Sequence, residues 1–131
     1  MLRGLIVDFG GVLTDPGEGG GDERPLVDAV VIARRHGLRT GLLSNADSLE
    51  VPGDLFDAVV LSGDVGVAKP DRRIFELAAE RLGLQPDECV FVDDLAAYVR
   101  AAARTGMVGV HHRDVAATLN ELSALFDVQF H

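Results

Sequence analysis

The chain has 131 residues, of which 47% are hydrophobic and 5% aromatic, and its formal net charge is −9. We expect residues 1–131 to form a single domain with one core, and the negative charge argues against a nucleic-acid partner because it repels phosphate backbones. No apolar stretch approaches the ~20 residues of a membrane span, and the lone cysteine and the lack of a signal peptide favour a cytoplasmic protein with no membrane partner.

Strands and helices are predicted to alternate along the chain. Short apolar runs predict strands, and apolar residues at helical spacing predict helices. The predicted strands cover residues 2–9, 39–44, 58–62, 89–92 and 107–111, and the predicted helices cover residues 25–36, 71–82, 95–104 and 114–126. This order is typical of an α/β fold with a parallel sheet and helices on both faces.

One segment departs from this alternation. Residues 15–24 consist mainly of glycine and acidic residues, with one proline and no apolar periodicity. Such a composition cannot build a core, so we predict a flexible loop directly after the turn that follows the first strand.

Polar side chains capable of chemistry follow several of the predicted strands. Asp8 ends the first apolar run, Ser44 ends the second strand, and Asp93 and Asp94 end the fourth, while Lys69 precedes a helix. The carboxyl ends of parallel strands meet at the edge where α/β sheets bind ligands. Three acids at that edge predict a divalent-cation site. With a hydroxyl and an ammonium added, the set supplies what phosphoryl transfer to an aspartate requires.

The order and spacing of these groups resemble the haloacid dehalogenase-like (HAD) superfamily, which is dominated by magnesium-dependent phosphatases. The four motifs of that superfamily are matched in order, over about residues 2 to 112, by Asp8, Ser44-Asn45, Lys69-Pro70-Asp71 and Asp93-Asp94. The resemblance implies a three-layer α/β/α Rossmann-like core whose five parallel strands lie in the order 3-2-1-4-5.

The resemblance also implies a function for each matched residue. Asp8 would be the nucleophile and a ligand of Mg²⁺, and Lys69 would assist catalysis and bind phosphate. The other implied Mg²⁺ ligands are the Gly10 carbonyl oxygen, Asp93 and Asp94, and the other implied phosphate-binding residues are Ser44, Asn45 and Gly11. We therefore predict a Mg²⁺-dependent phosphatase that forms an aspartyl phosphate at Asp8 and acts on a small or larger phosphorylated substrate.

The motif around Asp8 departs from the phosphatase pattern. Members that act as phosphatases usually carry a second aspartate two residues after the nucleophile, as general acid and base, and this chain has Gly10 there. Loss of such a group typically costs ~10²–10⁴ in rate. Asp15 is a nearby acid that could substitute. Tyr98 stands where an asparagine often follows the acid pair, and we predict that it packs within its helix.

The chain also lacks room for the lid that many relatives carry. The segments between Asp15 and Ser44 and between Ser62 and Lys69 are too short for one, so we predict a capless core. An open site does not exclude water by itself, so we expect a large substrate or a homodimer.

Two alternative functions remain open. A non-catalytic binding or scaffold protein on the same fold would explain Gly10 and the missing lid, although it has no need for buried like charges. A haloacid dehalogenase would need a closed apolar pocket, for which no segment is available. Residues 111–113 are predicted to be a polar strand end that could reach the rim of the site. Cys89 is predicted to be buried.

Overall fold

The computed structural model describes residues 1–51 and 53–131. Five parallel strands form one sheet in the order β3-β2-β1-β4-β5, which confirms the predicted fold class and strand order. The strands are β1 Gly4–Val7, β2 Arg39–Ser44, β3 Ala58–Leu61, β4 Cys89–Asp93 and β5 Val108–His111. β1 lies in the centre and pairs with β2 and β4 along its full length.

Four longer helices connect or follow the strands, as predicted. With one short helix they are α1 Pro25–Arg35, α2 Ser62–Val65, α3 Arg72–Arg81, α4 Ala96–Arg104 and α5 Val115–Phe126. α3 and α5 each begin one residue later than predicted because Asp71 and Asp114 are their N-caps, accepting hydrogen bonds from Arg73 N (2.9 Å) and Ala117 N (2.8 Å). No helix of the described ranges is long and apolar enough to cross a membrane.

Three short elements escaped the sequence analysis. They are α2, a 3-10 turn at Pro86–Glu88 and a kinked turn at Phe9–Leu13. The last of these overlaps the predicted first strand, which is shorter than expected because the chain turns immediately after Asp8. Each is only three to five residues long, too short for a hydrophobic period to show.

The core lies on both faces of the sheet. Successive residues of a strand point to opposite faces, so Leu5 and Val7 pack with α1 and α5, whereas Ile6 packs with α3 and α4. Both apolar clusters are buried, and Cys89 in the second is fully buried, as predicted. Burial raises the pKa of its thiol to about 12, so Cys89 is an inert core residue. Helices on both sides of one sheet give the predicted three-layer α/β/α arrangement.

The two segments that the sequence predicts to be too short for a lid hold little structure. Residues 14–24 contain turns but no helix or strand, and the only element between β3 and α3 is the single turn α2. Nothing in these segments forms a separate layer over the sheet edge.

Candidate functional site

Three acidic side chains converge at the carboxyl end of the two central strands. Asp8 follows β1, Asp93 ends β4 and Asp94 follows it. One carboxylate oxygen from each of the three lies within 4.8 Å of the others. The Asp8 N–H donates to the Val92 carbonyl (3.1 Å), which ties the two strand ends together. The structure thus brings together the three acids that the sequence singled out.

Lys69 lies inside this acidic cluster. Its Nζ is 2.7 Å from Asp93 Oδ2 and 3.1 Å from Asp8 Oδ1, and the lysine side chain is 1% exposed. Lys69 is the only lysine of the chain. The one lysine ammonium of the chain is therefore buried between two of the three predicted acids.

The cluster holds more negative charge than this ammonium balances. Burial raises the pKa of Asp8, and the neighbouring Asp93 carboxylate raises it further, while Lys69 opposes both effects. Burial and the adjacent Asp93 also raise the pKa of Asp94. Raised carboxyl pKa values show that the ionised acids are held at a cost in free energy. A bound divalent cation would relieve that cost.

Asp93 differs from the other two acids in its bonding. Its Oδ2 accepts a hydrogen bond from Lys69 Nζ, and its Oδ1 accepts one from the Leu95 N–H (3.0 Å). Its side chain is completely buried. Asp93 therefore fixes Lys69 and the start of α4, whereas Asp94 is exposed at the site.

Ser44 ends β2 and Asn45 follows it. The Ser44 side chain is buried at this strand end. The Asn45 amide holds the backbone of Lys69: its Oδ1 accepts from Lys69 N (2.9 Å), and its Nδ2 donates to the Lys69 carbonyl (3.1 Å). The Asn45 amide therefore positions the backbone of Lys69; that Asn45 also binds phosphate stays a prediction.

The two glycines after Asp8 are placed for different reasons. Gly11 has φ 80°, and a Cβ built there would collide with the Asp94 carboxylate. Its N–H donates to Thr14 Oγ1 (2.9 Å). That Gly11 binds phosphate stays a prediction. A Cβ at Gly10 would meet nothing within 4 Å. Position 10 therefore has room for a Cβ.

Asp15 does not fill the place of the missing acid. Its Oδ2 lies 2.7 Å from His112 Nε2, and the other ring nitrogen of His112 lies 2.7 Å from Thr118 Oγ1. A hydrogen bond from the Gly17 N–H lowers the pKa of Asp15, and His112 lowers it further. A carboxyl with a lowered pKa is a poor proton donor. The contact attaches the segment after β1 to the start of α5.

His111 lies at the edge of the site, where the sequence analysis allowed the polar strand end at 111–113 to reach. The Arg113 Nε–H donates to His111 Nδ1 (3.1 Å). Since an arginine can only donate, His111 Nδ1 accepts, and its Nε2–H donates to the Asp94 carbonyl (3.0 Å). His111 thereby holds the backbone of Asp94. The only signal for these contacts in the sequence was the pair of adjacent histidines at a strand end. The sequence does not indicate which residues the two histidines bond to.

Comparison with known proteins defines the class. Residues 21–106 match the model of the haloacid dehalogenase-like hydrolase family. The chain belongs to this family.

Individual relatives agree with that assignment. Phosphatase MT3486 of Mycobacterium tuberculosis is 36% identical over 123 residues, a match that covers 81% of this chain and 55% of that protein. The chain spans 55% or less of the length of the first curated relatives that it matches. The chain is thus a member of the HAD-like hydrolase family with phosphatases among its relatives.

Two solved structures are similar over nearly their whole length. An uncharacterized protein from Corynebacterium glutamicum has a TM-score of 0.86 and 34% identity, covering 98% of this chain and 97% of that one. A HAD family enzyme from Bacteroides thetaiotaomicron, solved in complex with magnesium and inorganic phosphate, has a TM-score of 0.67 and 17% identity, covering 87% and 96%. At 17% identity, the similarity to the second structure shows only that the two proteins share a fold.

Proposed function

We propose that the chain is a Mg²⁺-dependent phosphomonoesterase that works through an aspartyl phosphate at Asp8. The observation that carries this proposal is the buried Lys69 ammonium, 3.1 Å from Asp8 and 2.7 Å from Asp93, beside a third carboxylate at Asp94. Phosphatases among the relatives support a phosphate ester as the substrate.

The donor set fits Mg²⁺. This ion prefers oxygen ligands and is usually held by one or two carboxylates, and the cluster offers carboxylate oxygens that are already close together. We place Asp8 and Asp94 as direct ligands with the Gly10 carbonyl. Asp93 already uses both oxygens, so its main contribution is to hold Lys69. When bound, Mg²⁺ neutralises negative charge between the nucleophile and the phosphoryl group.

The residues supply a two-step reaction. In the first step an Asp8 oxygen attacks phosphorus, the ester P–O bond breaks, and the leaving alkoxide takes a proton from water because position 10 offers no acid. In the second step water attacks the same phosphorus, and the bond to Asp8 breaks. The electron pair returns to the carboxylate, and inorganic phosphate leaves. Lys69 and the Ser44 hydroxyl would hold the phosphoryl oxygens through both steps.

We propose in addition that the site is covered by something other than a lid of this chain. Residues 14–24 form only turns, yet phosphoryl transfer benefits from the exclusion of water. A large phosphorylated substrate or a second copy of the chain would serve.

The test is release of phosphate from a panel of phosphorylated metabolites, phosphopeptides and an aryl phosphate, with Mg²⁺ and with chelator. We expect release by the wild type with Mg²⁺, none with chelator and none by Asp8→Asn. Asp57→Asn makes the same chemical change near the opposite end of β2 and is expected to retain activity. Release that persists in folded Asp8→Asn would contradict the aspartyl-phosphate mechanism.

Gly10 favours a second candidate, a protein that binds a phosphorylated partner without turning it over. Gly10→Asp separates the two candidates because a side chain fits at this position. For a slow enzyme we expect kcat to rise by ~10²–10⁴ once the general acid is restored. If neither the wild type nor Gly10→Asp releases phosphate, while the folded protein binds inorganic phosphate, the binding role is supported instead.

A further inference from the structure

Tyr98 stands on α4 with its ring beside the buried ammonium. The Lys69 Nζ lies over the Tyr98 ring, 5.1 Å from its centroid, and over the Phe91 ring, 5.5 Å from its centroid. The Tyr98 hydroxyl lies 3.4 Å from Asn45 Nδ2. The tyrosine thus contacts both Lys69 and the amide that holds the Lys69 backbone.

We propose that Tyr98 is a positioning residue for the phosphate site, whose ring fixes the Lys69 ammonium through a cation–π interaction. The inference rests on the proposed function, because it assigns Lys69 to the phosphoryl oxygens. The inference also explains why Tyr98 stands at the position after the acid pair where the family resemblance leads one to expect an asparagine.

Four groups surround the Lys69 ammonium. Two carboxylates attract it, one from β1 and one from β4, and two aromatic faces lie against it. The lysine side chain is only 1% exposed, so water contributes almost nothing to its solvation. In such a desolvated setting an aromatic face attracts a cation more strongly than it does in water.

The two rings are not equivalent. Phe91 is fully buried and packs edge-on against Phe75, with ring centroids 5.2 Å apart. Phe91 is therefore needed by the core. Tyr98 is half-buried on a surface helix whose buried residues are Ala101 and Ala102. An aliphatic side chain would keep an apolar group at this position but would not attract a cation.

Asn45 extends the arrangement. It bonds to both the N–H and the carbonyl of Lys69 and approaches the Tyr98 hydroxyl. The base of the lysine is thus held by Asn45, and its tip is held by the ring and the acids. Small displacements of a phosphate-binding group have large effects on rate, so loss of the ring is expected to weaken phosphate binding.

The composition of the chain makes this testable. Lys69 is the only lysine, Tyr98 is the only tyrosine, and tryptophan is absent. Labelling with ¹³C-lysine gives one set of ε-CH₂ signals, which report the position of the ammonium. Tyrosine fluorescence comes from Tyr98 alone, so a change on addition of inorganic phosphate locates binding next to its ring.

The experiment compares the wild type with Tyr98→Leu, which removes the ring, and Tyr98→Phe, which keeps it. We expect upfield ε-CH₂ signals in the wild type, a downfield move in Tyr98→Leu and rescue in Tyr98→Phe. The Kd for inorganic phosphate, measured by calorimetry with Mg²⁺, should rise about 3- to 30-fold in Tyr98→Leu, and Tyr98→Phe should restore it. Arg100→Ala, on the exposed side of α4, is the control for changes to this helix.

The outcomes separate the two proposals. If Tyr98→Leu lowers Tm but leaves the lysine signals and the Kd for phosphate at their wild-type values, Tyr98 only packs and the inference is overturned. If the wild type shows neither phosphate binding nor phosphate release, the proposed function fails. The lysine signals then still decide whether the ring holds the ammonium.

Discussion

The two ends of β2 carry polar clusters that are built in opposite ways. At its beginning, Thr40 is completely buried. Its N–H donates to Asp57 Oδ2 (2.8 Å), and its hydroxyl donates to the Leu55 carbonyl (2.9 Å) and accepts from Arg34 (3.0 Å). Arg34 and Asp57 are also paired at 3.1 Å. We call these residues, Arg34, Thr40 and Asp57, the Thr40 cluster.

The carboxyl ends of the neighbouring strands are different. In the Thr40 cluster one cation meets one anion, and the hydrogen bonds from Thr40 and Arg34 outweigh burial and lower the pKa of Asp57. At the site one cation meets three anions, and burial raises the pKa values of Asp8 and Asp94. The first cluster is complete within the protein. The second is not, which is what a site that receives a cation and a phosphate requires.

The largest expected difference between the clusters concerns their cations. Lys69→Met leaves buried acids unpaired, so we expect loss of phosphate release and a fall of about 3–5 kcal/mol in the free energy of unfolding. Arg34→Met removes a partly exposed cation, and we expect a fall of about 1 kcal/mol. Urea unfolding in chelator measures both. Equal losses in the two variants would mean that the buried charges at the site are not special.

An intermediate effect is expected from Mg²⁺. If the acids of the site lack a cation, Mg²⁺ at 100 times its Kd should stabilise the fold by about 2.7 kcal/mol, measured as a rise in Tm. Asp94→Asn should reduce this rise, and Asp57→Asn should leave it unchanged. A rise of the same size in Asp94→Asn would place the bound ion elsewhere.

The smallest effect is the pH dependence of the Thr40 cluster. The pKa of Asp57 is lowered in the fold from 3.8, so its ionised form stabilises the protein above about pH 4. That stability is lost as the pH falls through the lowered value. Compared with Asp57→Asn, the wild type should be more stable by about 1 kcal/mol near pH 7, after allowance for solvent screening, and the difference should shrink towards pH 3.

Asp22→Asn is the control for that measurement, since Asp22 is exposed and lies in the segment after β1. It should show no such pH-dependent difference. If the difference in stability between the wild type and Asp57→Asn stays constant from pH 7 to pH 3, the Asp57 carboxylate is not the source of that difference.

The sequence predicts the features that follow from the order of strands and helices along the chain. Buried parallel strands are continuous apolar runs, so the five strands could be located, and the acids at their ends could be placed together by topology alone. Asp8, Asp93 and Asp94 belong to this class. The sequence also placed Lys69 in this set, although its position depends on a loop that no periodicity predicts.

What escaped prediction depends on side-chain contacts across the fold. The sequence did not reveal that the Asn45 amide meets the Lys69 backbone, 24 positions away. Asp15 was a possible acid, yet it lies against His112. Neither partner is adjacent in sequence, and several polar neighbours would have satisfied each side chain equally well. Only the packed structure selects among them.

The collision expected between a Cβ at Gly11 and the Asp94 carboxylate has a consequence for how this protein can evolve or be redesigned. The turn after one strand is shaped by the side chain after another, so the two positions do not vary freely. The costs of changing each should not add. A smaller residue at 94 would relieve part of the clash created by Gly11→Ala, although the positive φ would remain unfavourable. Libraries that vary the two motifs separately would miss the combinations that this contact permits.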